Sequence, residues 1–247
     1  KTSRKEKRSM GVVIFNGKPS LDYGIQVEHP PEYQTPAKDY EVIHIPGRNG
    51  DLVIDNGSYQ NVSRQYQIAF GNLDKDFTGM ANAVAEWLHS ASGYARLEDS
   101  YEPEYYRMAM FQDEAAVENI LQHAGRAAIS FNCKPQRFLK SGEESIQMSV
   151  NGSVLRNPTG FSSLPKITVF GSGKSRLTVG DCVIEIANVS GSIVLDSAIQ
   201  DAYKGATNRN SDVTATSGFP ELKPGENTIS WGNGITYVEV VPRWWTI

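Results

Sequence analysis

Cysteine is scarce in this chain: only Cys133 and Cys182 occur among 247 residues. Neither belongs to a CxxC pair or lies near a histidine at ligand spacing, so a zinc site is not supported. Two buried free thiols are expected, as in proteins that fold in a reducing compartment. Histidine is nearly as rare. The four, His29, His44, His89 and His123, show no HExxH or paired spacing, and each reads as structural or surface. No run approaches the roughly 18–20 apolar residues a helical membrane span needs. Neither sign of charge dominates either. With 24 Lys and Arg against 28 Asp and Glu, the net charge is −4, which does not describe a nucleic-acid-binding surface. Lys1–Ser9 is basic but no apolar stretch follows it, so it is not a secretory signal. It is expected to be a disordered extension or tag, since regular patterning begins after Met10.

Catalytic motifs are missing as well. Gly171-Ser172-Gly173-Lys174-Ser175 superficially resembles a phosphate-binding loop, but the required earlier glycine position holds Thr168. No following helix is expected to present amides to a phosphate, so the segment reads as a hairpin turn. There is no GxSxG elbow. Glu98, Asp99, Glu102 and Glu104 contain enough carboxylates for glycoside hydrolysis, but sequence does not set their separation. A solvated acidic loop is the expected reading.

What the chain does contain is strand and turn chemistry. Asn-Gly occurs at Asn16, Asn49, Asn56, Asn151 and Asn233, and both residues of the pair tolerate the positive φ of tight hairpin turns. Between such turns lie runs rich in β-branched and aromatic residues. Val12–Phe15, Tyr40–Ile45, Tyr66–Phe70, Tyr105–Phe111 and Ala127–Phe131 are expected strands of the first half. Lys166–Phe170, Ser175–Val179, Cys182–Ala187, Ser192–Leu195, Asn227–Trp231 and Thr236–Val241 are those of the second.

One helix breaks the pattern. Between Phe77 and Ala91 apolar residues fall at i, i+3, i+4 and i+7, with Asp76 as N-cap and Gly93 as a stop. Ala115–Gly125 fits either a short helix or strands bent around a turn. After Cys133 the chain becomes rich in Ser, Gly, Asn and Glu, which marks a connection between two globular units. The expected division is an extension at 1–9, a first domain at 10–138, a second at 139–241 and a terminal segment at 242–247. That last, apolar segment is expected to pack back on the first domain or the linker. Asn208–Ser217 reads as an exposed loop.

Several phrases in order carry a family resemblance. They begin with Phe15-Asn16-Gly17-Lys18, Leu21-Asp22-Tyr23-Gly24-Ile25 and Ile45-Pro46-Gly47-Arg48-Asn49-Gly50-Asp51-Leu52. Phe131-Asn132-Cys133-Lys134-Pro135 closes the first unit. Leu164-Pro165-Lys166-Ile167, Leu222-Lys223-Pro224-Gly225 and Pro242-Arg243-Trp244-Trp245 mark the second. Together they resemble the distal tail protein (Dit) family of siphophages.

The resemblance implies a mainly β fold: an N-terminal β-sandwich with one amphipathic helix and a β-hairpin, then a C-terminal galectin-like or carbohydrate-module-like β-sandwich. It implies a structural virion protein without enzymatic activity, cofactor or metal. The protein would sit at the tail tip and be present in host cytoplasm during assembly. It would form a hexameric ring with copies of itself and join the tail-tube protein to the tail-associated lysin or tail fibre protein. A receptor-binding protein would be a further partner, DNA would only pass through, and no membrane would be involved. Arg48, Asn49, Gly50 and Asp51, on a protruding polar turn, are the candidate interface residues, with Arg243, Trp244 and Trp245. The alternative is a carbohydrate-binding adhesin that stacks host wall sugars on Trp231 and Tyr237.

Overall fold

The structure is a computed structural model describing residues 11–70, 77–111 and 126–247. Lys1–Ser9, Asp76, His123 and Ala115–Gly125 therefore lie outside the described residues. The chain is mainly β and divides into two compact units. One runs to Arg137 and includes Ile247; the other is Phe138–Thr246.

In the first unit, one sheet runs in the order Lys18–Pro19, Val13–Phe15, Ala95–Asp99, Tyr105–Phe111, Arg126–Leu139, Val62–Phe70, Ile25–Val27. Residues along Ala95–Asp99 and Tyr105–Phe111 alternate between buried and half-buried, so one face of the sheet supplies the core. Phe15, Tyr66, Phe111 and Phe131 form the aromatic centre of that face, with Phe15 and Phe131 rings 4.9 Å apart.

The helix Phe77–Leu88 covers this core with Val84, Trp87 and Leu88, as its apolar stripe requires. Trp87 is held at both its polar and its flat side: Nε1 donates to the Phe15 carbonyl at 3.3 Å, and Tyr23 stacks on the ring at 5.1 Å. The helix ends three residues before Ala91. The Ser90-Ala91-Ser92-Gly93 run has poor helix propensity, and Ala91 reaches the core from the connecting turn instead.

The second unit is built on two long antiparallel strands, Lys166–Val179 and Cys182–Asp196. Each changes neighbours partway along. Lys166–Gly171 pairs with Ile235–Val241, whereas Leu177–Val179 pairs with Gly225–Trp231. Likewise Val194–Asp196 pairs with Asp201–Lys204, and Ile184–Ile186 with Val213–Ala215. One strand pair thus supplies both layers around a core of Ile167, Val169, Leu177, Ile184, Ile193, Leu195 and Val238.

This arrangement corrects the hairpin turn expected at Gly171–Ser175. The segment lies inside a strand, at a register shift between Gly173 and Ser175. Glycine is required at the crossing, because a Cβ on Gly171 would stand 1.9 Å from the Gly234 carbonyl oxygen. The expected loop Asn208–Ser217 likewise contains a strand, Val213–Ala215.

Candidate assembly surface

The strands Lys38–Ile43 and Leu52–Tyr59 form a separate two-stranded sheet within the first unit. The long strands of the two main sheets, such as Tyr105–Phe111 and Lys166–Val179, bury one face, but here nearly every residue is exposed. Cross-strand partners share a face. Val42 opposite Val53 and Tyr40 opposite Asp55 define one side; Ile43 opposite Leu52 and Glu41 opposite Ile54 define the other. Val42 is 60% exposed, Val53 55%, Tyr40 47% and Ile54 41%. The ribbon is therefore apolar on both faces, where an ordinary exposed hairpin would carry polar side chains.

Polar contacts hold the ribbon at its base and tip. Lys38 Nζ lies 3.1 Å from Asp55 Oδ2, and His44 Nδ1 lies 3.0 Å from Asp51 Oδ1 beyond the last strand pair. The Gly57 amide donates to Asp55 Oδ1 at 2.9 Å. That bond, with the Lys38 ammonium, holds the Asp55 carboxyl below the usual carboxylate range. Asn56-Gly57 is not a turn as its sequence suggested. It sits inside the strand Leu52–Tyr59, with Asn56 donating to Asp39. Arg48, Asn49, Gly50 and Asp51 lie in the connection between the strands, all exposed.

The other candidate interface residues, Arg243, Trp244 and Trp245, lie within the second unit. Trp244 is 4% exposed and belongs to that unit's core. Arg243 makes a two-pronged pair with Asp196, at 2.6 and 2.8 Å. Trp245 stacks on Phe161 at 4.6 Å and donates to the Ser162 carbonyl at 2.8 Å. These side chains are thus engaged inside their own unit. In the first unit, the Ile247 carbonyl accepts from Arg137 Nη2 at 2.8 Å and from Tyr33 at 3.2 Å.

Of the acidic cluster expected to be a solvated loop, Glu104 is exposed but Asp99 and Glu102 are not. Asp99 is 7% exposed. Its Oδ2 accepts from Arg64 Nη2 at 2.9 Å and from the Tyr66 hydroxyl at 2.8 Å. Glu102 accepts from Arg64 at 2.8 Å, Arg107 at 2.7 Å and Arg137 at 2.7 Å. Burial by itself would raise both carboxyls. The Tyr66 and Arg64 contacts at Asp99, and the Arg107, Arg64 and Arg137 contacts at Glu102, outweigh it and hold both below their ordinary range. A glycosidase acid needs the opposite shift, a carboxyl kept protonated near working pH, so this network is structural in kind.

Both cysteines are free. Cys133 is buried, and burial pushes its thiol up to about 11, which leaves it unreactive; Cys182 is only half-buried. His89 packs edge-on against Phe111, His44 belongs to the hairpin tip, and His29 lines a small polar cavity with Gln65 and Gln67. Among the described residues no group of three His, Cys, Asp or Glu converges as a metal site, and no helix is long and apolar enough to cross a membrane.

Trp231 and Tyr237 do not form a shared platform. Tyr237 stacks at 4.4 Å and 11° on its cross-strand partner Phe170, so one ring face is covered. Trp231 packs partly against the second core.

The arrangement of two β units, one capped by a helix, has solved structural neighbours. The crystal structure of the SPP1 Dit (gp 19.1) protein, described as a paradigm of hub adsorption apparatus in Gram-positive-infecting phages, superposes with a TM-score of 0.74 at 11% identity. The match covers 97% of this chain and 100% of that one. This chain therefore has the Dit fold over essentially its full length, as its sequence resemblance implied. Two structures of the phage P2 baseplate in its activated conformation, with Ca and with Sr, match more distantly. Their TM-scores are 0.49 and 0.47 at 10% and 9% identity, covering 94% of this chain and 97% and 96% of theirs. No family model and no curated protein matches the sequence.

Proposed function

We propose that this chain is a structural component of a phage tail tip: a hub in which six copies close into a ring between tail tube and tail-tip proteins, leaving an axial passage for DNA. The observation that carries the reading is the hairpin Lys38–Tyr59, apolar on both faces, on a fold shared with a phage hub protein. An isolated two-stranded ribbon is only marginally stable in water. Burying Val42, Val53, Ile43, Leu52 and Ile54 would stabilise it by roughly 25 cal/mol for each Å² covered. A neighbouring copy is the covering surface that a closed ring supplies, because a head-to-tail ring gives each protomer two different complementary patches. Arg48–Asp51 at the tip would then meet the neighbour or an adjoining tail protein.

The tail-tube protein on one side and the tail-associated lysin, tail fibre or receptor-binding protein on the other are the partners this role requires. The role calls for no catalysis, which agrees with two carboxylates held ionised among arginines. For a sugar-binding adhesin, Phe170 covers one of the two ring faces of Tyr237.

Light scattering coupled to size-exclusion chromatography across concentration, with negative-stain imaging, tests the reading. Six-fold rings with an axial hole are expected. A strict monomer at every concentration, with no rings even after tail-tube protein is added, would overturn it.

A further inference from the structure

Asn-Gly is the sequence in which the glycine backbone nitrogen most readily attacks the preceding side-chain carboxamide. Glycine offers no side chain to block the approach and resists backbone rotation least. All five pairs in this chain are equivalent as sequence. The fold makes them unequal.

Asn151 is locked: its Nδ2 donates to the Trp231 carbonyl at 2.7 Å, its Oδ1 accepts from the Trp231 amide at 2.8 Å, and the Gly152 amide donates to Ile229 at 3.0 Å. At Asn56 the carboxamide donates to Asp39, and the attacking Gly57 nitrogen already donates to Asp55 Oδ1 at 2.9 Å. Asn16, in its own tight turn, donates to the hydroxyl and carbonyl of the distant Ser90 at 3.3 and 3.4 Å. Asn233 is exposed, but Gly234 is wedged in the strand crossing: an added Cβ there would stand 2.6 Å from the Ser172 carbonyl oxygen, and its own carbonyl accepts from the Ser172 amide at 2.8 Å, so the attacking glycine has no room to turn. Asn49 has none of these restraints. It is exposed in the hairpin connection, its side chain makes no hydrogen bond to a described residue, the Gly50 amide donates to no backbone carbonyl there, and Gly50 has open space around it.

We propose that Asn49 is a site of spontaneous deamidation and that the fold protects the other four Asn-Gly pairs. The Gly50 backbone nitrogen attacks Asn49 Cγ, forming a C–N bond as the amide nitrogen leaves as ammonia and the Gly50 N–H proton is lost. Water then opens the resulting cyclic imide at either carbonyl, giving an aspartyl or an isoaspartyl residue. The net change is one water consumed, one ammonia released and a neutral amide replaced by a carboxylate. The new negative charge falls between Arg48 and Asp51. The isoaspartyl product also reroutes the backbone through the side-chain carbon, altering the tip that precedes Leu52. The modification belongs to the free protomer, in which Arg48–Asp51 is exposed; a ring neighbour covering that tip would slow it, so the test runs at a concentration at which light scattering reads a monomer.

The test incubates the full chain in mildly alkaline buffer, folded and in urea, and follows all five peptides by mass spectrometry. Isoaspartate is labelled enzymatically by methyl transfer. In the folded chain Asn49 is expected to convert first, with Asn16, Asn56, Asn151 and Asn233 at least about tenfold slower because they must first open locally. In urea the five should converge. Asn49→Gln should remove the earliest acidic species without changing the circular dichroism spectrum. Equal rates at all five sites in the folded chain, or an earlier conversion at any other, would overturn the proposal.

Discussion

Arg64 Nη2 lies 2.9 Å from Asp99 Oδ2 and 2.8 Å from Glu102 Oε2, so one nitrogen bridges two carboxylates that follow it by 35 and 38 residues. With Arg107 and Arg137 also on Glu102, three guanidiniums and two carboxylates tie Val62–Phe70, Tyr105–Phe111 and Arg126–Leu139 to the turn after Ala95–Asp99.

Removing Arg64 leaves Asp99 buried without its counter-charge. Arg64→Met should destabilise the first unit by about 3–5 kcal/mol, the cost typical of breaking a buried pair from one side. Urea unfolding followed by circular dichroism reads this as an earlier transition. An unchanged midpoint would mean the pair is idle.

The same carboxylates give the fold an acid limit. Asp99, Glu102 and, in the second unit, Asp196 are held below their ordinary values when folded. The unfolded chain therefore binds more protons in acid, and stability rises with pH there. The contribution is fully present above the unfolded carboxyl range, about pH 4, and is lost as pH falls through the lower folded values. Thermal unfolding between neutral pH and strong acid should show the midpoint dropping below about pH 4–5. Arg243→Ala should flatten the part of that drop that comes from Asp196.

Gly171→Ala places a methyl group 1.9 Å from the Gly234 carbonyl oxygen, a backbone atom with no freedom to swing aside. The strands must separate, and a loss of about 1–3 kcal/mol or more is expected for such overpacking. Gly152→Ala is the comparison. It meets no atom, and its cost comes from the positive φ of 82° alone. Melting temperatures of the two variants check the difference in cause, with Gly171→Ala the lower.

Val42→Asp and Val53→Asp act on the exposed ribbon. In the isolated chain each should change stability by no more than about 0.5 kcal/mol, as surface substitutions usually do. In assembly each introduces a charge where apolar contact is required, and rings should disappear from light scattering and images. Rings that persist in the double variant would show that the hairpin is not the joint.

Much of the architecture was legible in the residues. Tyr105–Phe111 reads as a strand from its aromatic residues and is one. The i, i+3, i+4 stripe located the helix and the face bearing Val84, Trp87 and Leu88, because helical period is a local property. The ordered phrases from Phe15 to Trp245 pointed to the Dit fold that the structure has. Boundaries inside the second unit were less legible. Gly171–Ser175 looks like a turn, yet the chain runs through it as continuous strand, since the partner strand Cys182–Asp196 pairs with it there.

What the sequence alone determined is therefore the class of the protein: two β units, one amphipathic helix, hairpin turns, and no metal or nucleophile motif. These follow from patterns that recur within a few residues. Only tertiary structure decided that Asp99 and Glu102 are buried among arginines, that Trp244 belongs to a core, and that Val42 and Val53 face solvent. The same residue types can be buried or exposed, paired or free. Which occurs depends on segments distant along the chain that happen to lie beside them.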